Sequence, residues 1–476
     1  MDILYPILKG IGIILVVLLC FNVIIFVHEL GHFLAGRWRG LKIDRFQIWF
    51  GKPIWKKEIN GVQYGLGCIP AGGFVALPQM APMESIEGGT RDDNGKSLPP
   101  ISPLDKIIVA FAGPLFSLLL ALLAAVGVWL VGKPADVITT KEMGYVEKGG
   151  PADKAGIRPG DVIEAVNGLP MRGFAGTLDS ISESVILSRG DKIEFTVRRA
   201  GEAEPLKLSS GFEIEKTGFF QRRALREVGM APSTPSIVEK VLPNSSAADV
   251  GIKEGEEIVT YDGIPLLSPV QLSAYMKEKN WSPVELGVKA KDGTIRQVTA
   301  TPKKPLPPND KFPMLGVVWS GRSDVDVHIV HPGPIQQVKD SLNMMWVTIS
   351  SVVSPKSSIG VDHLSGPVGI FTMKFKLLQT DNGWRRILAF MVVFNVNLAV
   401  LNMLPFPVLD GGHIVLAILE KIAGRPVKAK VLEIIQTGFA LALISLMLFV
   451  SSKDVSDLFS GGKKGSEVVF PAAPAN

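Results

Sequence analysis

At 476 residues and 47% hydrophobic, with a mean hydropathy of +0.29, the chain is too apolar for an ordinary soluble protein. At 20% charged it is also too polar to lie wholly in a membrane, so membrane spans and water-exposed domains must be combined. A net charge of +5 gives no case for a nucleic-acid partner, and two cysteines, Cys20 and Cys68, exclude a disulfide framework.

The first element is an apolar run over Tyr5–Leu34, uncharged from Ile11 through Val27 and long enough to cross a bilayer. It runs straight into His28-Glu29-Leu30-Gly31-His32 with no small-residue cleavage site, so it reads as a retained span. Each ionisable group in such a run costs roughly 2.5–3.5 kcal/mol to insert, and a bound metal is the compensating interaction. His28 and His32, four apart on a helix, project from one face as a zinc-ligand pair, with Glu29 beside them to accept a proton from an attacking water.

A hairpin follows at about 44–80. Pro53–Ile59 and Val62–Ile69 flank Asn60-Gly61, a strong two-residue turn signal, and the segment ends in Pro70-Ala-Gly-Gly-Phe74. It reads either as a plain cytoplasmic hairpin or as one that dips into the membrane edge and offers a free strand edge to a substrate. Met83–Pro103 reads as a polar linker, and Ile107–Val131 as a second, uncharged span closing a first membrane segment, 1–131.

The insert beyond it repeats itself. Pro151–Gly168 aligns without gaps to Ser246–Gly263, with Ala152/Ala247, Gly156/Gly251, Ile157/Ile252, Gly160/Gly255, Ile163/Ile258 and Gly168/Gly263 identical. The pattern resembles two tandem PDZ domains, at 133–225 and 226–310. Amphipathic surface helices are expected within 330–386, over Val338–Val353 and Gly369–Leu378. Two more spans follow within 387–450, Ile387–Leu409 (running into Asp410) and Val431–Val450, and then a disordered tail over 451–476. The fold class expected is thus an α-helical polytopic membrane protein of four transmembrane helices. It carries a membrane-associated β-hairpin and two inserted PDZ-like α/β domains.

Basic residues set the orientation. Arg37, Arg39, Lys42, Arg45, Lys52, Lys56 and Lys57 follow span one, and Lys421, Arg425, Lys428 and Lys430 lie between spans three and four. Both loops belong in the cytoplasm, which puts both termini and the insert outside and the His-Glu motif at the cytoplasmic end of its span.

Two histidines leave a zinc site one protein ligand short. The candidate is Asp410 in Asn402-Met-Leu-Pro-Phe-Pro-Val-Leu-Asp410-Gly411-Gly412, at the same expected depth although 378 positions (410 − 32) beyond His32. Asp-Gly is equally a turn signal, and His413 is a rival ligand. Asn395, Asn397 and Asn402 read first as interhelical hydrogen-bond donors and acceptors. Asn402 stands apart because it shares the proline-rich turn with Asp410. Glu433, in the fourth span, is either a second proton acceptor or a partner to a polar neighbour.

Phe26–Phe33, Gly72–Phe74, the PDZ-like pair, Leu364–Gly369 and Asn402…Asp410-Gly411 together resemble the site-2 protease family of intramembrane zinc metalloproteases. The resemblance implies one zinc per chain on His28, His32 and Asp410, with Glu29 as catalytic base. It also implies substrate binding by Asn402, Asn397, Gly72, Gly73 and Phe74. Substrates would be single-span membrane proteins within the lipid bilayer, trimmed first by an upstream site-1 protease. Among near relatives these are an anti-sigma factor of the envelope stress response and remnant signal peptides. The PDZ pair would be an outer size filter. The implied location is the bacterial inner membrane, with the PDZ domains and both termini periplasmic and the active site toward the cytoplasm. One departure is Ser117, where relatives often carry Asn; its expected consequence is confined to local packing. Two competing readings are a membrane zinc protease acting on misfolded or soluble clients, and a non-catalytic PDZ scaffold.

Overall fold

A computed structural model describes residues 4–80, 101–218, 221–307, 311–320, 326–424, 429–460, 468 and 470–471. The linker positions 83–100, Arg425 and Lys428 of the basic loop, and tail positions 461–467 lie outside the described residues. The chain divides into two compact units. The first comprises residues 1–134, 329–348 and 365–454, and the second residues 135–328, 349–364 and 455–476.

Among the described residues, seven helices lie wholly or mainly in the first unit, in chain order α1 (Leu4–Trp38), α2 (Pro103–Val131), α3 (Pro334–Val353, ending in the second unit), α4 (Pro367–Gln379), α5 (Gly383–Asn402), α6 (Asp410–Ala423) and α7 (Ala429–Ser460, also ending in the second unit). Among the described residues α1, α2, α5 and α7 are long and apolar enough to cross a membrane. The Ser102 side chain and Asp105 form a capping box at the start of α2, and Pro103 fills a first-turn position where no backbone donor is needed. Helices α1, α2 and α5 meet through Ile24, Ala124, Ala125, Val128, Met391 and Val392. The small residues on α2 let the backbones approach closely, which is how helices associate where water supplies no driving force.

The third span ends at Asn402 and does not run on to Leu409 as expected. Pro405 and Pro407 supply no backbone donors and disfavour helix in the residues before them, so the chain turns and restarts at Asp410. Gly411 and Gly412 permit the tight restart. A Cβ on either would fall within 3.0 Å of carbonyl groups of Met403, Leu404 or Phe406. At the far end, α7 continues past Val450 through Ser460, where a disordered tail was expected. The buried Asp454 carboxylate there accepts from the backbone N–H groups of Gly366 (3.0 Å) and Gly369 (2.8 Å), capping α4. Helix α4 is not purely a surface helix either. Lys374 is fully buried, its ammonium 3.6 Å from the Phe21 ring centre and 4.8 Å from that of Phe394.

Strands β1 (Arg45–Ile59) and β2 (Val62–Ala76) fold back on themselves around Asn60 and Gly61, both at positive φ (51° and 77°) as a type I′ turn requires. Arg45–Ile48 pairs with Gln63–Leu66 and also with Gly73–Ala76, so the first stretch of β1 is flanked on both sides. Among the described residues Gly73–Ala76 is paired on one side only and forms a sheet edge. The hairpin is pinned to α1 by Asn22, whose side-chain oxygen accepts from Trp49 Nε1 at 2.5 Å.

In the second unit the repeat is two copies of one topology. The first copy is an antiparallel sheet ordered 169–170, 162–166, 193–198, 206–210, and the second is ordered 264–265, 257–261, 284–289, 295–300. Each has a register irregularity at the same place, between Ile163 and Ala165 and between Ile258 and Thr260. The aligned Ala152/Ala247, Ile157/Ile252 and Ile163/Ile258 all enter the two cores. The six aligned glycines all take positive φ, which explains their recurrence at fixed offsets. The closing strands overrun the expected limits. Met230–Pro232 pairs with Met143–Val146, beyond 225, and Val317–Trp319 pairs with Val238–Val241, beyond 310. Strands of three residues carry no readable alternation.

Candidate metal centre

Helix α1 stacks His28 above His32, and the restart of the chain at α6 places Asp410 opposite them. His28 Nε2 is 3.3 Å from Asp410 Oδ2, His32 Nε2 is 3.4 Å from Asp410 Oδ1, and the two Nε2 atoms are 3.3 Å apart. The outer ring nitrogens are engaged elsewhere. His32 Nδ1 lies 2.8 Å from the Val109 carbonyl oxygen and His28 Nδ1 lies 2.9 Å from Ser117 Oγ. A carbonyl oxygen only accepts, so His32 carries its proton on Nδ1 and turns a lone pair on Nε2 inward.

The donor set itself tests whether a metal fits. A tetrahedral ion with bonds of about 2.0–2.1 Å needs its ligand atoms about 3.3–3.4 Å apart, and these three separations match that edge. Asp410 Oδ2 is moreover buried without a hydrogen-bond partner. Two imidazoles and a carboxylate, each imidazole oriented from behind, suit zinc. Among the described residues His28, His32 and Asp410 are the convergent group. His413 lines the same cavity without joining it.

That cavity, about 610 Å³, is bordered by Glu29, Gly72, Gly73, Phe74, Asn402 and Asp410 as well as the histidines. Glu29 faces the sheet edge: a Cβ on Gly73 would stand 3.3 Å from Glu29 Cγ, and the Val75 backbone N–H is directed at its carboxylate. At Gly72 (φ 68°) a side chain would run into the Phe50 ring, which stacks on Phe74 at 6.3 Å. Asn402 ends α5 at the cavity wall. Asn397 is not brought to the cavity; its Oδ1 is buried without a hydrogen-bond partner.

Two positions carry more than the sequence reading gave them. Ser117, taken as a packing departure, is the hydroxyl that orients His28. Gly113, one turn earlier on α2, must lack a side chain, since a Cβ there would fall within 3.0 Å of both Nε2 atoms. The signal was present in Gly113-Pro-Leu-Phe-Ser117, an i, i+4 pair on an uncharged span, but nothing in one sequence says that α2 lies against the histidine face of α1.

A polytopic arrangement of apolar helices around a His-His-carboxylate group beside a glutamate defines a membrane metalloprotease. The model of Peptidase family M50 matches residues 16–446, and the chain belongs to that family; it is a zinc metalloendopeptidase. The chain is 28% identical over 455 residues to the regulator of sigma-E protease RseP of Escherichia coli, covering 92% of this chain and 97% of that one. It is 29% identical over 486 residues to a protein of Ralstonia nicotianae named as a zinc metalloprotease, covering 92% and 96%. Among solved structures, the PDZ domain of the SdrC-like protein of Listeria monocytogenes aligns with 19% of this chain and 94% of its own, at 19% identity and a TM-score of 0.17.

Proposed function

We propose that this chain is an intramembrane endoprotease that cuts the transmembrane segments of pre-trimmed single-span proteins, with one zinc held by His28, His32 and Asp410. The observation that carries the reading is the meeting of these three donors on helices long and apolar enough to span a membrane, beside a free strand edge. When bound, zinc would polarise the scissile carbonyl as a Lewis acid and acidify the attacking water. Glu29 takes the proton from that water and delivers it to the departing amide nitrogen. The Gly73–Ala76 edge holds the substrate, since a helical span has its amides bonded internally and must be unwound to expose a peptide bond. Gly72 and Gly73 keep that edge close to Glu29, and Phe74 and Asn402 bound the substrate cleft. Ser117 and the Val109 carbonyl orient the two imidazoles.

The proposed setting is regulation of a sigma-E-type envelope stress response in a bacterial inner membrane, a reading supported by the name of the Escherichia coli relative, regulator of sigma-E protease. The substrate class is an anti-sigma factor, with remnant signal peptides, after cleavage by a site-1 protease. The basic loops support a cytoplasmic active site with periplasmic termini and two periplasmic PDZ domains. The PDZ pair excludes untrimmed substrates by size. The test is cleavage of a truncated single-span substrate in liposomes by wild type and Glu29→Gln, with zinc content measured on both. A cut within the span by wild type alone is expected. Equal cleavage by both would overturn the mechanism.

A further inference from the structure

The two copies in the second unit differ at one corner. In the first, the Glu147 backbone N–H donates to Gly229 O at 2.7 Å; in the second, Leu242 does the same to Gly316 O at 2.8 Å. Both glycines are left-handed, at φ 73° and 78°. The next helix docks identically as well, Ala152 N–H to Val228 O and Ala247 N–H to Leu315 O, each at 2.9 Å. In the first copy the space above the glycine is taken by its own Glu147 side chain. In the second it is taken by the Ser245 side chain together with Phe470, from the C-terminal segment. A Cβ on Gly316 would stand 2.7 Å from Phe470 Cε2, with the Ser245 side chain also within 3.0 Å, and Phe470 is 3% exposed.

An aromatic ring so completely enclosed, within seven residues of the chain end, is not a loose tail. Full burial of a Phe side chain is among the larger apolar contributions a single residue makes, enough to hold a short segment against fraying. We propose that the second PDZ-like unit carries a socket for an aromatic-bearing apolar peptide, floored by Gly316 and Ser245, and that the chain's own C-terminal segment anchored by Phe470 is its occupant. The segment acts as a strap. Nine residues, 461–469, separate the end of α7 from the anchor, a reach of about 30–35 Å. A tether that short holds the tail at an effective concentration of order millimolar, so the socket is closed to weaker peptides in trans. The first copy has no such socket, because Glu147 fills the corner.

The test uses the full-length protein in detergent. Benzoylphenylalanine at position 470 should photo-crosslink to the peptide containing Ser245 or Gly316; adducts elsewhere, or none, overturn the docking. Amide exchange at Ala247 and Leu242 should quicken about tenfold or more in Phe470→Asp and hold its wild-type rate in Phe470→Trp. Equal exchange in all three proteins overturns the anchor. A labelled peptide of sequence 468–476 should bind Phe470→Asp at least about tenfold more tightly than wild type, because the tail no longer competes. Equal binding to both, or binding to neither, overturns the socket.

Discussion

The two units treat buried polar groups in opposite ways. In each copy of the repeat in the second unit a carboxylate is matched to a guanidinium on the spot. Arg199 Nε and Nη2 meet Asp161 at 2.8 Å each, and Nη2 also reaches Gly156 O. Arg296 Nη1 and Nη2 meet Glu256 at 2.6 and 2.8 Å, and Nη2 reaches Gly251 O. The acids and the glycines are equivalent positions, although Arg199 follows the strand 193–198 and Arg296 lies in the strand 295–300. In the membrane unit the carboxylate of Asp410 faces two imidazole nitrogens and no protein cation. A self-sufficient cluster holds a fold together. A cluster that the chain leaves incomplete, in a setting where each such group is costly, marks where a ligand belongs.

Several measurements break or sharpen that contrast. The largest effects belong to the incomplete cluster. Glu29→Gln should lower cleavage by about 10²–10⁴-fold, the span of a general base, with zinc content unchanged. Asp410→Ala should lose both zinc and activity, read by metal analysis. A variant that kept full zinc would sink the ligand assignment.

Next are the groups behind the ligands. Ser117→Ala should weaken zinc retention by about 10–100-fold in chelator titration, and Ser117→Asn should retain most of it, because an amide can still bond His28 Nδ1. Gly113→Ala should be worse than Ser117→Ala, since its methyl group would enter the space between the imidazoles.

The completed clusters should respond as structure, with zinc untouched. Arg199→Ala leaves the Asp161 side chain, 2% exposed, without its cation and should destabilise the first copy by about 3 kcal/mol. Arg296→Ala should cost the second copy less, Glu256 being 7% exposed. Hydrogen exchange resolved by copy measures both, and equal losses in the two copies would contradict the burial argument.

A pH dependence follows from a third bridge in the same unit. The Arg223 guanidinium holds the Asp362 carboxyl well below the usual carboxylate range. Its folded pKa lies below the unfolded value near about 3.9, so its stabilisation is complete above that value and is lost as pH falls through the folded one. Proteolytic sensitivity of residues 354–364 should therefore be flat from neutral pH to about pH 5 and rise only in stronger acid. Asp362→Asn should show the raised sensitivity at every pH.

The smallest effect is expected at Lys374, a buried cation of the membrane unit held among aromatic faces without a hydrogen-bond partner for its ammonium. Lys374→Met should leave thermal stability unchanged or slightly raised, because it trades a cation–π gain of about 2 kcal/mol for relief from burying a charge.

Much of this was legible in the chain alone. An i, i+4 histidine pair in an uncharged run declares its geometry, because helical periodicity fixes which side chains share a face. The Asn60-Gly61 turn and the repeated glycines are equally local, each set by the φ that the backbone needs there. Asp410 could be nominated ahead of its rival His413 from its proline-rich setting, but its meeting with the two histidines is a matter of where a turn of seven residues, 403–409, delivers the next helix. Ser117 and Gly113 gained their roles only when α2 came to lie against the histidine face of α1. Phe470 stood in a polar, proline-rich tail with no pattern around it. Periodicity and turn chemistry act between neighbours in sequence and can be read there. Which faces meet across hundreds of residues is decided by packing, and that appears only in the folded chain.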